Sequence, residues 1–179
     1  MINISSVEFQ IFMKIFLFLM GLCIGSFLNV VIFRLPADKS IVFPNSSCND
    51  CNEKLKAIDM IPVFSYIFIG GKCRYCKKPI SIQYPLVEFF TGVIWLLTYT
   101  RYGFSIETVA IIFLYTLLIP IALIDLKHMI IPNGLVLVGF VGGLALSAYH
   151  IFVEPFSLYR SPAWYSPFIG MISAAGILF

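Results

Sequence analysis

The chain has 179 residues, of which 60% are hydrophobic and only 12% charged, with a mean hydropathy of +0.95. That leaves too little polar surface to cover a soluble domain of this size. The formal net charge of +3 is not spread along a groove-sized surface, so the composition argues for a lipid bilayer and against nucleic acid as the partner.

Apolar runs of about 17 to 24 residues recur, each long enough to cross a hydrocarbon core of roughly 30 Å. The first is Ile11 to Phe33, broken only by Lys14, whose side chain can snorkel to the interface. It is too long for a signal-peptide core, and no small-residue cleavage site precedes the polar loop that follows. Gly21, Gly25 and Ser26 lie in it at helical spacing, where small residues let a second helix approach. Asn29 needs a hydrogen-bond partner there, and Cys23 reads as a small packing residue. Arg34, Leu35 and Pro36 end the span.

The loop from Arg34 to Pro79 holds eight of the twelve Lys and Arg residues: Arg34, Lys39, Lys54, Lys56, Lys72, Arg74, Lys77 and Lys78. Such an excess marks a cytoplasmic loop. It also carries Cys48-Asn-Asp-Cys51 and Cys73-Arg-Tyr-Cys76, with 21 residues between the pairs. Two such knuckles can converge four thiolates on one Zn²⁺, at about 2.3 Å per sulfur. Two disulfides, or four unrelated thiols, are the alternatives; a cytoplasmic loop is kept reduced, which argues against disulfides. A loop of 46 residues buries little core, so metal would supply much of its folding free energy in a structural role.

Span two is expected from Tyr84 to Tyr99, with Glu88 one turn inside, capping the span or pairing with a loop lysine. Arg101, Tyr102 and Gly103 make a turn. Span three is expected from Ile106 to Ile124, with a kink at Pro120. The polar segment Asp125-Leu126-Lys127-His128 leads to span four, Ile130 to Val153. Glu154 to Pro167 reads as an external loop, and span five begins near Trp164. With the basic loop inside, the N-terminus lies outside and Asp125 at the cytoplasmic interface. His128 reads as an ordinary interfacial residue, and by position alone a carboxylate at the end of a span, such as Asp125, reads the same way.

The expected fold class is therefore an all-α polytopic membrane protein of about five transmembrane helices with a small cytoplasmic zinc-type loop. Residues 1–33 form the external N-terminus and span one, 34–79 the four-cysteine loop, and 80–179 spans two to five.

Five stretches in order resemble the type IV prepilin peptidases, the leader peptidase and N-methyltransferase enzymes of bacterial inner membranes. They are Gly25-Ser26-Phe27-Leu28-Asn29-Val30-Val31-Ile32-Phe33-Arg34-Leu35-Pro36; the two Cys-x-x-Cys pairs; Ile61-Pro62-Val63-Phe64-Ser65-Tyr66 with Gly71-Lys72-Cys73; Ile80-Ser81-Ile82-Gln83-Tyr84-Pro85-Leu86-Val87-Glu88; and Ala122-Leu123-Ile124-Asp125-Leu126-Lys127-His128-Met129-Ile130-Ile131-Pro132-Asn133. The resemblance implies an intramembrane aspartic peptidase with Asp125 as the first catalytic aspartate. Its substrates would be prepilins or pseudopilins, and S-adenosylmethionine would methylate the new N-terminus. No glycine-rich nucleotide loop marks a site for that cofactor.

The sequence departs from the family in one respect. The second aspartate, in a Gly-x-Gly-Asp motif of a later span, is not present. After Asp125 the only acidic residue is Glu154, which the topology places outside. The expectation is a chain truncated before that motif and inactive alone. Two other functions compete: a non-catalytic, membrane-anchored zinc module that recruits pilus or secretion components, and a membrane thiol oxidoreductase.

Overall fold

The computed structural model describes residues 6–48 and 50–152. Expected span five and Glu154 lie outside them. Five α-helices follow in order: α1 (Ser6–Arg34), α2 (Phe64–Phe68), α3 (Gln83–Tyr102), α4 (Ile106–His128) and α5 (Asn133–Phe152), with short 3₁₀ turns at Leu35–Ala37 and Ala57–Met60. Among the described residues, β structure is confined to two isolated antiparallel bridges in the lobe between α1 and α3. Helices α1 and α4 are long and apolar enough to cross a membrane.

Helix α1 is apolar all round, yet its buried positions, Val31 aside, fall on one stripe: Gly21, Leu22, Gly25, Leu28, Asn29 and Ile32, at the spacing of one helix face. That stripe lies against α3. A Cβ on Gly25 would stand 2.6 Å from the Glu88 Cα, and one on Gly21 2.7 Å from the Gly92 Cα. The small residues therefore bring two backbones together, as expected. Cys23 is exposed on the opposite face, so it is not the packing residue expected of it.

Gly103 ends α3 with a positive φ of 65°, and the Ser105 hydroxyl caps α4 by accepting from the Thr108 amide at 3.3 Å. The short connection, Gly103 to Ser105, makes α3 and α4 adjacent. The Trp95 indole N–H donates to the Thr116 hydroxyl at 3.2 Å between them. Helix α4 runs through buried Pro120, whose missing N–H leaves the Thr116 carbonyl without its usual intrahelical donor. It continues to His128, past the expected end at Ile124, because nothing breaks it before Met129. There φ turns to 52° and the Met129 amide bonds the Asp125 carbonyl at 2.8 Å. Pro132 delays α5 to Asn133, three residues later than expected.

The core is where three helices meet. Leu28 and Ile32 of α1, Val87 of α3 and Ile124 of α4 form one buried cluster, with Leu135 of α5 packed against it. It lies toward the end of the bundle that carries the four-cysteine lobe, and so holds that end rigid.

Candidate metal centre and the adjoining end of the bundle

Each cysteine pair sits on the same local fold. In the first, the Cys48 amide donates to the Glu53 carbonyl at 3.0 Å, and the Asn52 amide returns to the Cys48 carbonyl at 2.9 Å. In the second, the Cys73 amide donates to the Lys78 carbonyl at 2.8 Å, and the Lys77 amide returns to the Cys73 carbonyl at 3.0 Å. The residue after each second cysteine turns left-handed, with φ of 56° at Asn52 and 62° at Lys77. Bridges Ser47–Lys54 and Lys72–Pro79 close the two knuckles. The two units are thus near-copies set to present four sulfurs to one point.

All four sulfurs lie within 4.8 Å of one another, and those of Cys48 and Cys76 are 3.8 Å apart. Tetrahedral thiolates about 2.3 Å from a zinc ion would be separated by about 3.8 Å. The donor set and spacing fit a four-coordinate metal ion.

The electrostatics agree. The backbone amides of Cys51 and Asp50 donate to the Cys48 sulfur and lower its pKa to about 7. The Glu53 amide favours a thiolate at Cys51, but loss of water and the crowded sulfurs of Cys48 and Cys76 outweigh it and push that thiol up to about 12. The Cys76 thiol is raised too: the Lys78 amide pulls it down, while loss of water and the Cys73 and Cys48 sulfurs overcome that pull. Four sulfurs this close cannot all ionise unless a cation joins them.

Two ion pairs brace the lobe. Lys78 reaches Asp50 at 2.7 Å, tying the second knuckle to the first. Arg74 reaches Asp59 at 2.7 Å, and the Tyr75 hydroxyl donates to the same carboxylate at 3.3 Å. Asp59, a residue that no sequence signal marks, thereby pins the 21-residue spacer to the second knuckle.

The lobe is seated on the bundle through Glu88. This residue is 8% exposed, and its carboxylate accepts the Val63 amide at 2.7 Å, with the Ser26 hydroxyl bonded to it from α1. The expectation was a cap of the span or a pairing with a loop lysine; the partner is instead a loop amide. Val63 has φ 61° and ψ −51°, and the Phe64 amide folds back to the Pro62 carbonyl at 2.6 Å. This is a γ-turn of the rare, strained hand, at a β-branched residue that avoids positive φ. The turn aims the Val63 amide into the bundle.

Asn29 makes the interhelical bond expected of it. Its amide donates to the Tyr84 carbonyl at 3.1 Å, while its own carbonyl oxygen is buried without a partner among the described residues. One turn further along α1, the Phe33 ring stacks on Tyr84 at 5.0 Å. Lys127 of α4 lies 4.9 Å over the Phe33 ring and hydrogen-bonds the Gln83 side chain. Arg34, Gln83 and Lys127 so mark one level at the end of three helices. Asp125 is exposed near the same end of α4, and no partner for its carboxylate occurs among the described residues. His128 is exposed beyond it.

Two apolar helices long enough to cross a bilayer, α1 packed on α3 through glycines, and a lobe whose four cysteines could hold one metal ion define a helical membrane protein with a candidate metal site. Two family matches then cover most of the chain. Residues 19–102 match the bacterial peptidase A24 N-terminal domain, and residues 112–179 match the type IV leader peptidase family. The chain belongs to the type IV leader peptidase family.

Relatives called prepilin leader peptidase/N-methyltransferase include one from Myxococcus xanthus, 45% identical over 133 residues, covering 74% of this chain and 40% of the relative. One from Bacillus subtilis is 35% identical over 163 residues, covering 91% and 61%. One from Klebsiella pneumoniae is 38% identical over 144 residues, covering 76% and 63%. The chain thus spans between 40% and 63% of the length of these three relatives. No solved structure matches.

Proposed function

We propose that this chain carries part of the active site of a membrane aspartic peptidase that removes leader peptides from type IV prepilins or pseudopilins, with Asp125 as one of its two catalytic carboxylates. The observation that carries this reading is the position of Asp125. It is an exposed carboxylate in the last turn of an apolar membrane helix, beside the level marked by Arg34, Gln83 and Lys127. A carboxylate held there can meet a peptide bond at the membrane surface without being buried in lipid.

Aspartic peptidases need a second carboxylate nearby, so that one acts as base on a water molecule and the other as acid. Glu154 and Glu88 do not suit that role. The proposed topology puts Glu154 across the membrane, and Glu88 is already engaged by Val63 and Ser26. The basic lobe supports an orientation with residues 34–79 in the cytoplasm and the N-terminus outside, in a bacterial inner membrane.

Zn²⁺ is the metal that best suits Cys48, Cys51, Cys73 and Cys76. With four protein ligands it leaves no open position for substrate, which supports a structural role. Methylation of the new N-terminus would draw on S-adenosylmethionine, for which no residue of this chain is assigned.

The test is Asp125→Asn in a full-length protein containing this sequence, assayed on a prepilin in detergent or membranes. Loss of cleavage with zinc content and folding unchanged is expected. Normal cleavage would remove Asp125 from the mechanism.

A further inference from the structure

The Glu88–Val63 contact sets the depth of the segment around it. Glu88 is five residues into α3 from Gln83, about 7.5 Å along the axis at 1.5 Å per residue. Its side chain leans back toward the helix N-terminus, so the γ-turn at Val63 lies level with the first turn of α3. It does not lie above the plane marked by Arg34, Gln83 and Lys127.

Helix α2 begins at the next residue. Its exposed side chains, Phe64, Ile67 and Phe68, follow the i, i+3, i+4 pattern of one helix face. Phe68 is 85% exposed and Ile67 64%, while Ser65 and Tyr66 turn inward. The Tyr66 hydroxyl bonds the Ile80 carbonyl at 3.4 Å. In water this would be an apolar stripe on the wrong side of a short helix.

The exposed surface of α3 at this depth is also apolar, through Leu86, Phe89 and Phe90, so the stripe continues a lipid-facing belt. On the other side of Phe68, Lys72 and Lys77 border one small cavity with it, and neither is in an ion pair among the described residues. Apolar residues below and lysines beside them are the arrangement of an interfacial segment.

The geometry points to α2 as a membrane anchor of the four-cysteine lobe: Phe64, Ile67 and Phe68 enter the adjacent leaflet, and Lys72 and Lys77 meet its phosphate headgroups. Glu88 holds the anchor at that depth through the Val63 amide. The lobe is then fastened to the bilayer at a third point besides its two chain ends, which limits how it can tilt over Asp125. This inference rests on the membrane-spanning reading of α3 and α4.

The experiment places an indole at the tip of the stripe. Phe68→Trp is made in a background of the full-length protein in which Trp164 and any tryptophan other than Trp95 are replaced by Phe, and that background alone serves as the reference. Both are reconstituted into nanodiscs of phosphatidylcholine and phosphatidylglycerol, brominated either near the glycerol end of the acyl chains or near their middle.

The background reports Trp95, which lies well inside α3, and quenching by mid-chain bromines is expected there. The signal added by the indole at position 68 should emit at shorter wavelength than a water-exposed indole and lose most intensity to the shallow bromines. If Trp95 is quenched and the added indole is not, the anchor is wrong, whether water or another protein covers the stripe, and the membrane reading survives. If Trp95 escapes quenching as well, both fail. Position 68 is exposed, so the substitution disturbs no packing.

Discussion

The backbone amide of Val63 lies 2.7 Å from a carboxylate oxygen of Glu88, although the two belong to different parts of the molecule. One sits in the lobe that gathers the cysteines, the other in the buried face of α3. The contact joins the most constrained turn of the lobe to the most buried acid of the bundle. The metal centre and the helix packing are therefore parts of one arrangement.

Removing the acceptor should show how much that contact holds. Glu88→Ala leaves the part-buried Val63 amide without its acceptor, an expected cost of about 1 to 3 kcal/mol. Glu88→Gln keeps an oxygen in place and should cost much less. Thermal unfolding in a mild detergent, followed by intrinsic fluorescence, would compare them. Equal losses in the two variants would mean that the hydrogen bond is not what Glu88 supplies.

The α1–α3 seam sets up a comparison of two glycines with effects of opposite sign. A methyl on Gly25 would meet the Glu88 Cα at 2.6 Å, and backbone cannot yield as a side chain can. Gly25→Ala should therefore force the helices apart, at about 1 to 3 kcal/mol for an overpacked site. A Cβ at Gly143 meets nothing within 4 Å. Gly143→Ala should stabilise α5 by roughly 0.5 to 1 kcal/mol through helix propensity alone. The pair is read by the same melting experiment, and a harmless Gly25→Ala would refute the close approach.

Metal analysis addresses the lobe. The purified protein should carry one zinc ion per chain, and Cys73→Ser, at the buried ligand, should remove it. Binding replaces protons on the thiols, so occupancy should fall as pH is lowered. A strong chelator should then open the Arg34–Pro79 segment to proteases while the helices stay intact. Disulfides with no zinc in protein purified under reducing conditions would contradict this reading.

What could be read from the residues depended on whether the signal was local. The cysteine spacing announced the four-sulfur cluster, because each knuckle is built within a few residues of its own cysteines. Helix positions followed from apolar runs, but their ends moved: α1 begins at Ser6 rather than Ile11, α3 runs on to Tyr102, and α5 waits until Asn133. Helix α4 continued to His128 because the first left-handed residue is Met129. Facing was harder. An apolar helix in lipid carries no polar side to reveal its orientation, so Cys23 was expected to pack and instead lies exposed. The partner of Glu88 was out of reach altogether. It depends on a positive φ at a valine, a conformation that no residue preference would have suggested.

That valine supplies the sharpest test of the lobe's seat. A γ-turn at a β-branched residue stores strain of about 1 to 3 kcal/mol, and glycine adopts the same backbone freely. Val63→Gly relieves the strain but loses a half-buried side chain and adds freedom to the unfolded chain. These effects oppose, so stability should stay within about 1 kcal/mol of the parent. Val63→Pro is different in kind. Proline fixes φ near −65° and has no N–H, so it removes both the turn and the donor to Glu88, at an expected cost of about 3 kcal/mol or more. Melting temperatures of the two variants, with protease sensitivity of the lobe, would decide the matter. A tolerated proline would mean that the Val63 amide does not hold the lobe to the bundle. A severe loss in the glycine variant would assign the seat to the valine side chain instead.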